Sequence, residues 1–283
     1  MKYLFLILAI NFAQLDESFS RSTDYAALND ELVQLLENAE SPAEKAGLYW
    51  RISRNYLLLG QQEIRRDAKR ACFGEGARYA GMAIRENPKD PQGYMWHCAN
   101  VGRDCQTRNV MEQASAVPKM SSDLTMILDK LGRTECSEAW QALSEIWWAH
   151  PFKSSDAAIN FARKAALTIP RGELRITTLT HLADLLHQRN WSAERRAAAA
   201  AESSKRYSAG AKSNVDKFAA FDGAPASELA APWTTSSLTG ISDREEARAI
   251  AAYAQRIYRA CPDPTPIEQE DYKILLKLLT TWQ

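Results

Sequence analysis

The chain has 283 residues, of which 46% are hydrophobic and 25% are charged, a balance that excludes an intrinsically disordered protein. Its 35 lysines and arginines are matched by 35 aspartates and glutamates, so no net charge draws it to nucleic acid or to an anionic membrane. Glycine and proline number only 12 and 11, and convincing alternation of Val, Ile and Thr with polar residues is absent. These features predict an all-α protein.

The first twenty residues have the pattern of a secretory signal peptide. Lys2 precedes an apolar run over 4–13, and residues 18–20 place serines where a signal peptidase cuts. We therefore expect cleavage after Ser20, an exported protein that is periplasmic or secreted, and a mature domain over 21–283. No cysteine follows the run to carry a lipid anchor, and the run is too short to span a bilayer. The alternative is a buried N-terminal helix.

Two alanine-rich amphipathic segments, 76–88 and 158–170, each stop at a proline. Each has two small residues seven positions apart, namely Gly76 and Ala83 in the first and Ala158 and Ala165 in the second. Small residues two turns apart let a neighbouring helix pack closely, and the proline then ends the helix. This pattern is typical of the second helix of a tetratricopeptide (TPR) unit. It predicts stacked antiparallel helical hairpins in a TPR-like right-handed solenoid.

Apolar periodicity, N-caps and prolines divide the chain into eleven predicted helices. They cover residues 25–40, 41–60, 62–87, 92–114, 121–132, 135–150, 156–170, 173–188, 192–206, 242–260 and 267–282. Ser41-Pro42 and Ser242 indicate helix starts, and Val117-Pro118 is expected to break the chain between two helices. Residues 222–241, rich in Ala, Pro, Ser and Thr, predict a surface loop, and residues 242–283 are expected to form capping helices.

Export would place the five cysteines in an oxidising compartment. No pair has the two-residue spacing of a zinc or redox motif. In an antiparallel hairpin, residues equidistant from the turn lie at the same height along the two helices. The predicted proline turns therefore place Cys72 level with Cys105 and Cys98 level with Cys136. We therefore expect the disulfides Cys72–Cys105 and Cys98–Cys136, with Cys261 unpaired. The alternative is that the cysteines are reduced and buried.

Aromatic and basic side chains on two predicted helices are candidates for a binding groove. The candidates are Tyr94, Trp96, His97, Arg103, Trp140, Trp147 and Trp148. Together they would offer an apolar anchor surface with a charged tip, as binding hot spots do. The alternative is that the tryptophans fill the core between helices rich in small residues, and that His97 is a hydrogen-bonded core histidine.

An Asn-Pro-Lys-Asp turn at 87–90 joins the first alanine helix to a helix with the aromatic cluster 94–97 and the pair Gly102-Arg103. Farther on, the sequence Trp-Trp-Ala-His-Pro at 147–151 precedes the second alanine helix. In these motifs the chain resembles the TPR-like T-component proteins associated with TRAP transporters, and the related regulator-of-microtubule-dynamics-like proteins. The likeness covers roughly residues 62–205.

The resemblance implies a helical, non-catalytic exported protein that docks a periplasmic solute-binding protein or an apolar ligand in a helical groove. The alternative is an envelope protein–protein assembly module unrelated to transport, with a homo-oligomer allowed in either case. An enzyme that uses His97 or His150 is the weaker alternative, because no nucleophile, phosphate-loop or dinucleotide motif occurs.

We expect no catalytic residue, metal or cofactor. His181, Asp184 and His187 share a predicted helix but scatter around it, which indicates a polar face rather than a metal site. Glu245 and Glu246 fall at a helix start and are interpreted as solvated groups that compensate the helix dipole.

Overall fold

The computed structural model of the protein describes residues 10–150, 153–221 and 231–282, and over these residues the chain is helical, without a β-strand. The thirteen α-helices of the described ranges are α1 Phe12–Arg21, α2 Tyr25–Leu36, α3 Pro42–Gln62, α4 Arg66–Glu86, α5 Pro91–Gln106, α6 Val110–Thr125, α7 Ser137–Ala149, α8 Ser155–Leu167, α9 Ile176–Arg189, α10 Ala193–Ser208, α11 Asn214–Phe218, α12 Asp243–Ala260 and α13 Pro266–Thr280. A π-helical turn, Met126–Lys130, follows α6, and a 3-10 turn spans Leu238–Gly240. The prediction of an all-α protein is confirmed. Within these ranges no helix combines the length and apolar character needed to cross a bilayer.

Reciprocal caps fix the starts of α3 and α12 where the sequence predicts them. In α3, Glu44 N donates to Ser41 Oγ at 3.1 Å, and Ser41 N donates to the Glu44 carboxylate at 3.0 Å. Ser242 and Glu245 make the same pair of bonds at the start of α12. Each box supplies partners for main-chain N–H groups that a helix start otherwise leaves unpaired.

The predicted helix over 92–114 and the predicted break at Pro118 are both wrong. Helix α5 ends at Gln106, where Thr107 donates its N–H to Asp104 O at 2.9 Å and its hydroxyl to the same oxygen at 2.7 Å. Asn109 then caps the start of α6, because Glu112 N donates to Asn109 Oδ1 at 3.0 Å. Pro118 lies inside α6 and removes one main-chain donor from it. Local capping groups, rather than the proline, therefore set the helix boundaries here.

The described chain packs as two compact units, residues 10–116 and residues 117–282, which we call unit 1 and unit 2. In unit 1, α3 packs against α2, α4 and α5, and α4 packs against α5. Leu32, Leu48 and Ile52 form the centre of the apolar cluster between α2 and α3. Sequential helices thus pack as neighbours in this unit.

The small residues of α4 allow α5 to approach closely, as the sequence predicts. Gly76 is buried, and a Cβ built on it would lie 2.1 Å from Asn100 Oδ1. The amide of Asn100 is wholly buried, and its Nδ2 donates to Ser53 Oγ at 3.0 Å and to Trp96 O at 2.9 Å. The close approach therefore makes room for a polar contact that ties α5 to α3.

In unit 2 the central element is α8, in which every residue from Ala157 to Leu167 is buried. It packs against α7 and α9, and Phe161 stacks on the buried indole of Trp140 with ring centroids 5.6 Å apart. Ala158 and Ala165 are both fully buried, as expected for small residues at a helix contact. A helix buried on all sides needs a partner for each polar group it carries.

The sequence predicts that helices 173–188 and 192–206 form a hairpin, but α9 and α10 pack chiefly against other elements. Helix α9 packs chiefly against α12, and also against α8 and α13, whereas α10 packs against the Leu238–Gly240 turn and α11. The turn after α9 passes through Asn190, which has a left-handed backbone with φ of 54°. The predicted loop over 222–241 lies partly outside the described residues. In its described part, Trp233 and Leu238 are buried.

Helix α1 covers the segment in which signal cleavage is expected. Its side chains contact α3, with Asp16 accepting hydrogen bonds from Arg51 and Arg54. The expected cleavage point after Ser20 lies within α1, so processing there would remove Asp16. Cleavage and export stay predictions.

None of the five cysteines forms a disulfide, so the predicted bridges Cys72–Cys105 and Cys98–Cys136 are wrong, and Cys261 is likewise unpaired. The register that places Gly76 against Asn100 does give Cys72 and Cys105 similar heights, but their thiols diverge. Cys105 Sγ donates to Gln113 O at 3.4 Å, whereas Cys72 interacts with Tyr56 and Glu63 on the α3 side. The sequence could predict that Cys72 and Cys105 lie at similar heights along their helices. It could not predict in which direction around each helix the side chain points.

Burial makes the thiol of Cys136 unreactive. Burial and, to a smaller extent, the nearby Glu138 carboxylate together raise the pKa of this thiol to about 12. At pH 8 only about one such thiol in ten thousand is ionised, and the thiolate is the nucleophile. We expect iodoacetamide to alkylate Cys136 far more slowly in the native protein than in the unfolded chain, as measured by peptide mass spectrometry. All five thiols should react after unfolding without reductant, and a Cys72–Cys105 or Cys98–Cys136 linked peptide would contradict this.

Candidate functional site

The residues predicted to bind a partner lie on α5 in unit 1 and on α7 in unit 2. On α5, Tyr94 is buried, with its hydroxyl donating to Pro88 O at 3.2 Å, and Trp96 Nε1 donates to Gln92 Oε1 at 3.1 Å. His97 is half-buried. Arg103 is exposed and donates to Gln106 Oε1 at 3.1 Å. Tyr94 therefore helps close the turn before α5, and Arg103 lies at the surface of unit 1.

The three tryptophans of α7 differ in exposure. Trp140 is wholly buried, and its Nε1 donates to Thr134 O at 2.9 Å. Trp147 and Trp148 are half-buried, and Lys153 Nζ lies 4.6 Å from the ring centre of Trp147. Trp140 thus fills the core of unit 2, and the other two retain surface that a partner can reach.

A cluster of buried charges in unit 2 was not anticipated from the sequence. Two carboxylates of α12, Asp243 and Glu246, are 0% exposed, so Glu246 is not the solvated group that its position at a helix start indicates. Arg163 of α8 donates to Glu246 Oε2 at 2.9 Å, and Arg196 of α10 donates to the same oxygen at 2.7 Å. One carboxylate therefore joins three helices.

Asp243 organises the other half of the cluster. Arg189 at the end of α9 donates to its two oxygens at 2.7 and 2.8 Å. The N–H of Trp191 donates to Asp243 Oδ2 at 2.8 Å, and Asp243 N donates to Trp191 O at 2.9 Å. The turn after α9 is therefore fixed to the first turn of α12.

The protonation of Glu246 follows from its surroundings. Burial raises the pKa of this carboxyl, but the charges of Arg163 and Arg196 outweigh burial and hold the pKa below its ordinary value of 4.5. Burial also lowers the pKa of Arg196 despite the opposing effect of Glu246. An ionised carboxylate whose oxygens accept from two guanidinium groups is unsuited to act as a general acid or base.

The arginines of the cluster, together with Trp191, line a cavity of about 260 Å³ that we call the arginine-lined cleft. Its lining residues are Asp156, Asn160, Arg163, Arg189, Trp191, Arg196, Ala199, Ala200, Glu202, Ser203, Arg206 and Thr239. The indole of Trp191 lies 4.2 Å from the guanidinium carbons of both Arg189 and Arg195, measured to the ring centre. The cleft is thus lined by four arginines, one tryptophan, small residues of α10 and two acidic residues, Asp156 and Glu202.

Two arginines of the cleft retain unused donors. Arg196 is 6% exposed, and its Nη1 has no hydrogen-bond partner among the described residues. Arg206 is exposed at the rim and makes no ion pair within the part of the chain that the structure describes. A buried guanidinium N–H without an acceptor is costly, and Arg196 is one of the residues that line the cleft.

His181 and Ser144 form a second polar contact, in the core. His181 Nε2 lies 2.9 Å from Ser144 Oγ, and Ser144 Oγ donates to Ala158 O at 2.7 Å. Because the hydroxyl proton is directed to Ala158, the histidine is the donor in this contact. Burial lowers the pKa of His181, which favours the neutral ring. Ser144 is wholly buried, so the pair ties α7, α8 and α9 together.

No group of three or more His, Cys, Asp or Glu side chains within the described ranges is arranged to hold a metal ion. His187 instead stacks on Trp282, with ring centres 4.5 Å apart. No protein-family model matches the sequence, and no curated protein is significantly similar to it.

The buried charge cluster could not be predicted from the sequence because its residues come from four separate helices, α8, α9, α10 and α12. Asp243 and Glu246 have the spacing of ordinary N-terminal helix acids. The available signal was Arg163, which interrupts the apolar surface of the alanine-rich segment 158–170. An arginine in a helix buried on every face requires a buried anion.

Proposed function

We propose that the protein is a non-catalytic helical binding protein, and that the arginine-lined cleft of unit 2 receives an anionic group of its ligand or partner. The observation that carries this proposal is the buried Nη1 of Arg196, which has no hydrogen-bond partner among the described residues and belongs to a side chain that lines a cavity of about 260 Å³ together with the exposed Arg206. Guanidinium groups match the geometry of carboxylate and phosphate oxygens, and a buried guanidinium binds them more strongly than an exposed one.

The other properties of the cleft fit ligand binding rather than catalysis. The buried carboxylates Asp243 and Glu246, which do not line the cleft, each pair with two arginines that do line it, and the cations of the cleft are guanidinium groups that stay protonated. These acids fix Arg163, Arg189 and Arg196 before any ligand arrives, so binding would require little ordering of these three side chains. The volume suits a small anion or an acidic side chain better than a long apolar ligand.

The wider proposal follows the resemblance to T-component proteins. A TPR-like stack of helices that is exported and docks a periplasmic solute-binding protein would use the cleft for an acidic residue of that partner. An envelope assembly module unrelated to transport would use it in the same way. Pull-down from the periplasm tests the first reading, which requires recovery of a solute-binding protein.

The cleft itself is tested by replacing Arg206 with glutamine. We expect the Arg206→Gln variant to bind citrate, inorganic phosphate or an acidic peptide about 10- to 100-fold more weakly, because a hydrogen bond to a charged group contributes about 1.5–3 kcal/mol. Isothermal titration calorimetry at low salt measures the affinity. Comparing citrate with phosphate separates carboxylate from phosphate recognition.

Lys205→Gln is the matched control, because Lys205 is an exposed cation beside Arg206 that does not line the cleft. It should bind as the unaltered protein does. Equal weakening in both variants would indicate general charge attraction. Failure of the unaltered protein to bind any of the three probes would mean that the buried charges have a structural role only.

A further inference from the structure

A second, independent site lies in unit 1, where α1 rests on α3. Phe12, Asp16 and Phe19 of α1 stand at positions i, i+4 and i+7, so they share one face of the helix. The Asp16 carboxylate accepts from Arg51 Nε at 3.0 Å and from Arg54 Nη1 at 2.9 Å. The two phenylalanine rings flank this ion pair along α1.

Each phenylalanine lies against one of the two arginines. The guanidinium carbon of Arg51 is 4.3 Å from the ring centre of Phe12, and that of Arg54 is 3.5 Å from the ring centre of Phe19. Cations attract the face of an aromatic ring, most strongly where water is excluded. The surface of α3 therefore recognises a carboxylate with an aromatic ring on either side.

Arg51 and Arg54 make contacts within their own helix, α3, as well as with α1. Trp50 lies next to both guanidinium groups, with ring-centre distances of 4.0 Å to Arg51 and 5.2 Å to Arg54, and Arg51 Nη1 donates to Gly47 O at 2.9 Å. These contacts are internal to α3 and do not depend on α1. The recognising surface is thus preorganised, which lowers the cost of binding a helix there.

Helix α1 does not supply an acceptor for every hydrogen-bond donor of this surface. Arg54 is 8% exposed, yet its Nε has no hydrogen-bond partner among the described residues even with Asp16 in place. None of the ten residues of α1 is buried, and the side chain of Asp16 keeps 39% of its exposure. A helix of this length is marginal without its contacts. A helix with a second acidic side chain could satisfy Arg54 better than α1 does.

We propose that the surface formed by Trp50, Arg51 and Arg54 is a docking site for an acidic helix of a partner protein that carries aromatic residues beside its carboxylates, and that α1 is an intramolecular occupant which this helix displaces. The tether keeps α1 at an effective concentration of about the millimolar range, so it masks the site until a tighter helix competes. The proposal is independent of the cleft in unit 2, and it applies to a chain that retains α1, not to one cleaved after Ser20.

The test uses the full chain and a fluorescent peptide with the sequence of residues 10–23. We expect the Asp16→Asn chain to bind this peptide at least about tenfold more tightly than the unaltered chain, because its own α1 competes less well. A peptide that itself carries Asp16→Asn should bind at least tenfold more weakly. Fluorescence anisotropy measures both affinities.

Glu17→Gln is the matched control chain, since Glu17 is exposed and pairs within α1 with Arg21, with no ion pair to α3 among the described residues. It should bind the peptide no better than the unaltered chain does. Equal binding by the Asp16→Asn and unaltered chains, or no binding by either, would overturn the proposal.

Hydrogen exchange of the unaltered chain supplies a second readout that needs no variant. The amides of α1 should exchange well before those of α3, because α1 is expected to open without unfolding unit 1. Exchange of α1 and α3 in one cooperative step would show that α1 is an integral part of the core, and would also overturn the proposal.

Discussion

The Glu246→Gln substitution is expected to lower the free energy of unfolding of unit 2 by about 3–5 kcal/mol, the usual loss when one partner of a buried ion pair is removed. Glu246 is the carboxylate shared by Arg163 and Arg196, and all three side chains are at least 94% buried. The amide would leave the buried Arg163 without its anion and Arg196 with only Asp243, 3.5 Å away. Chemical denaturation followed by tryptophan fluorescence measures the change.

The control is Glu270→Gln, which removes an exposed ion pair with Lys273 at 2.9 Å on α13. Exposed pairs contribute about 0–1 kcal/mol, so this variant should unfold nearly as the unaltered protein does. A loss below about 1 kcal/mol for Glu246→Gln would mean that the two arginines do not depend on Glu246.

The same substitution should change how stability depends on pH. Because the pKa of Glu246 is lower in the folded protein than its ordinary value of 4.5, the group stabilises the fold at pH values above 4.5. This contribution is lost as the pH falls below 4.5 and through the folded pKa, where the carboxyl takes up a proton. The Glu246→Gln variant lacks the group, so its stability should decline less between pH 5 and lower pH.

The Gly76→Ala substitution is expected to destabilise unit 1 by about 2–4 kcal/mol, through overpacking and the disturbance of buried hydrogen bonds. The added methyl would lie 2.1 Å from Asn100 Oδ1 and 2.4 Å from its Cγ, so Asn100 must move. Its Nδ2 would then lose the bond to Ser53 that joins α5 to α3 and the bond to Trp96 O within α5. Thermal and urea unfolding of the variant measure the effect.

Gly74→Ala is the matched control two residues earlier on the same helix. Nothing lies within 4 Å of a Cβ at Gly74, so alanine should stabilise α4 by about 0.5–1 kcal/mol through its better helix propensity. Opposite signs for the two variants would establish that packing, and not glycine content, decides the result. Similar small effects would mean that α4 and α5 are separated more widely than Gly76 indicates.

Much of the helical content was predictable because its causes are local. Ser41 and Ser242 cap the helices they were expected to cap, and the small residues Gly76 and Ala158 lie at helix contacts as predicted. Helix partners were less predictable, since an apolar face does not specify which other face covers it. The pairing of α9 with α12 is the clearest case.

The candidate site could not be predicted from local sequence patterns, for a related reason. Glu245 and Glu246 are adjacent acids, yet one caps α12 at the surface and the other is wholly buried. A rotation of about 100° per residue around the helix separates the two environments. Only the identity of the neighbouring helices, α8 and α10, decides that Glu246 meets two arginines there.

The contact between Arg163 and Glu246 spans 83 residues of sequence. During synthesis α8 would therefore leave the ribosome well before the acid that neutralises Arg163. The nascent chain would then carry an unpaired guanidinium in the helix that is buried from Ala157 to Leu167 in the folded unit. Unit 2 cannot complete its interior until α12 has emerged. Truncated translation products that end before Asp243 should accordingly remain protease-sensitive beyond α7.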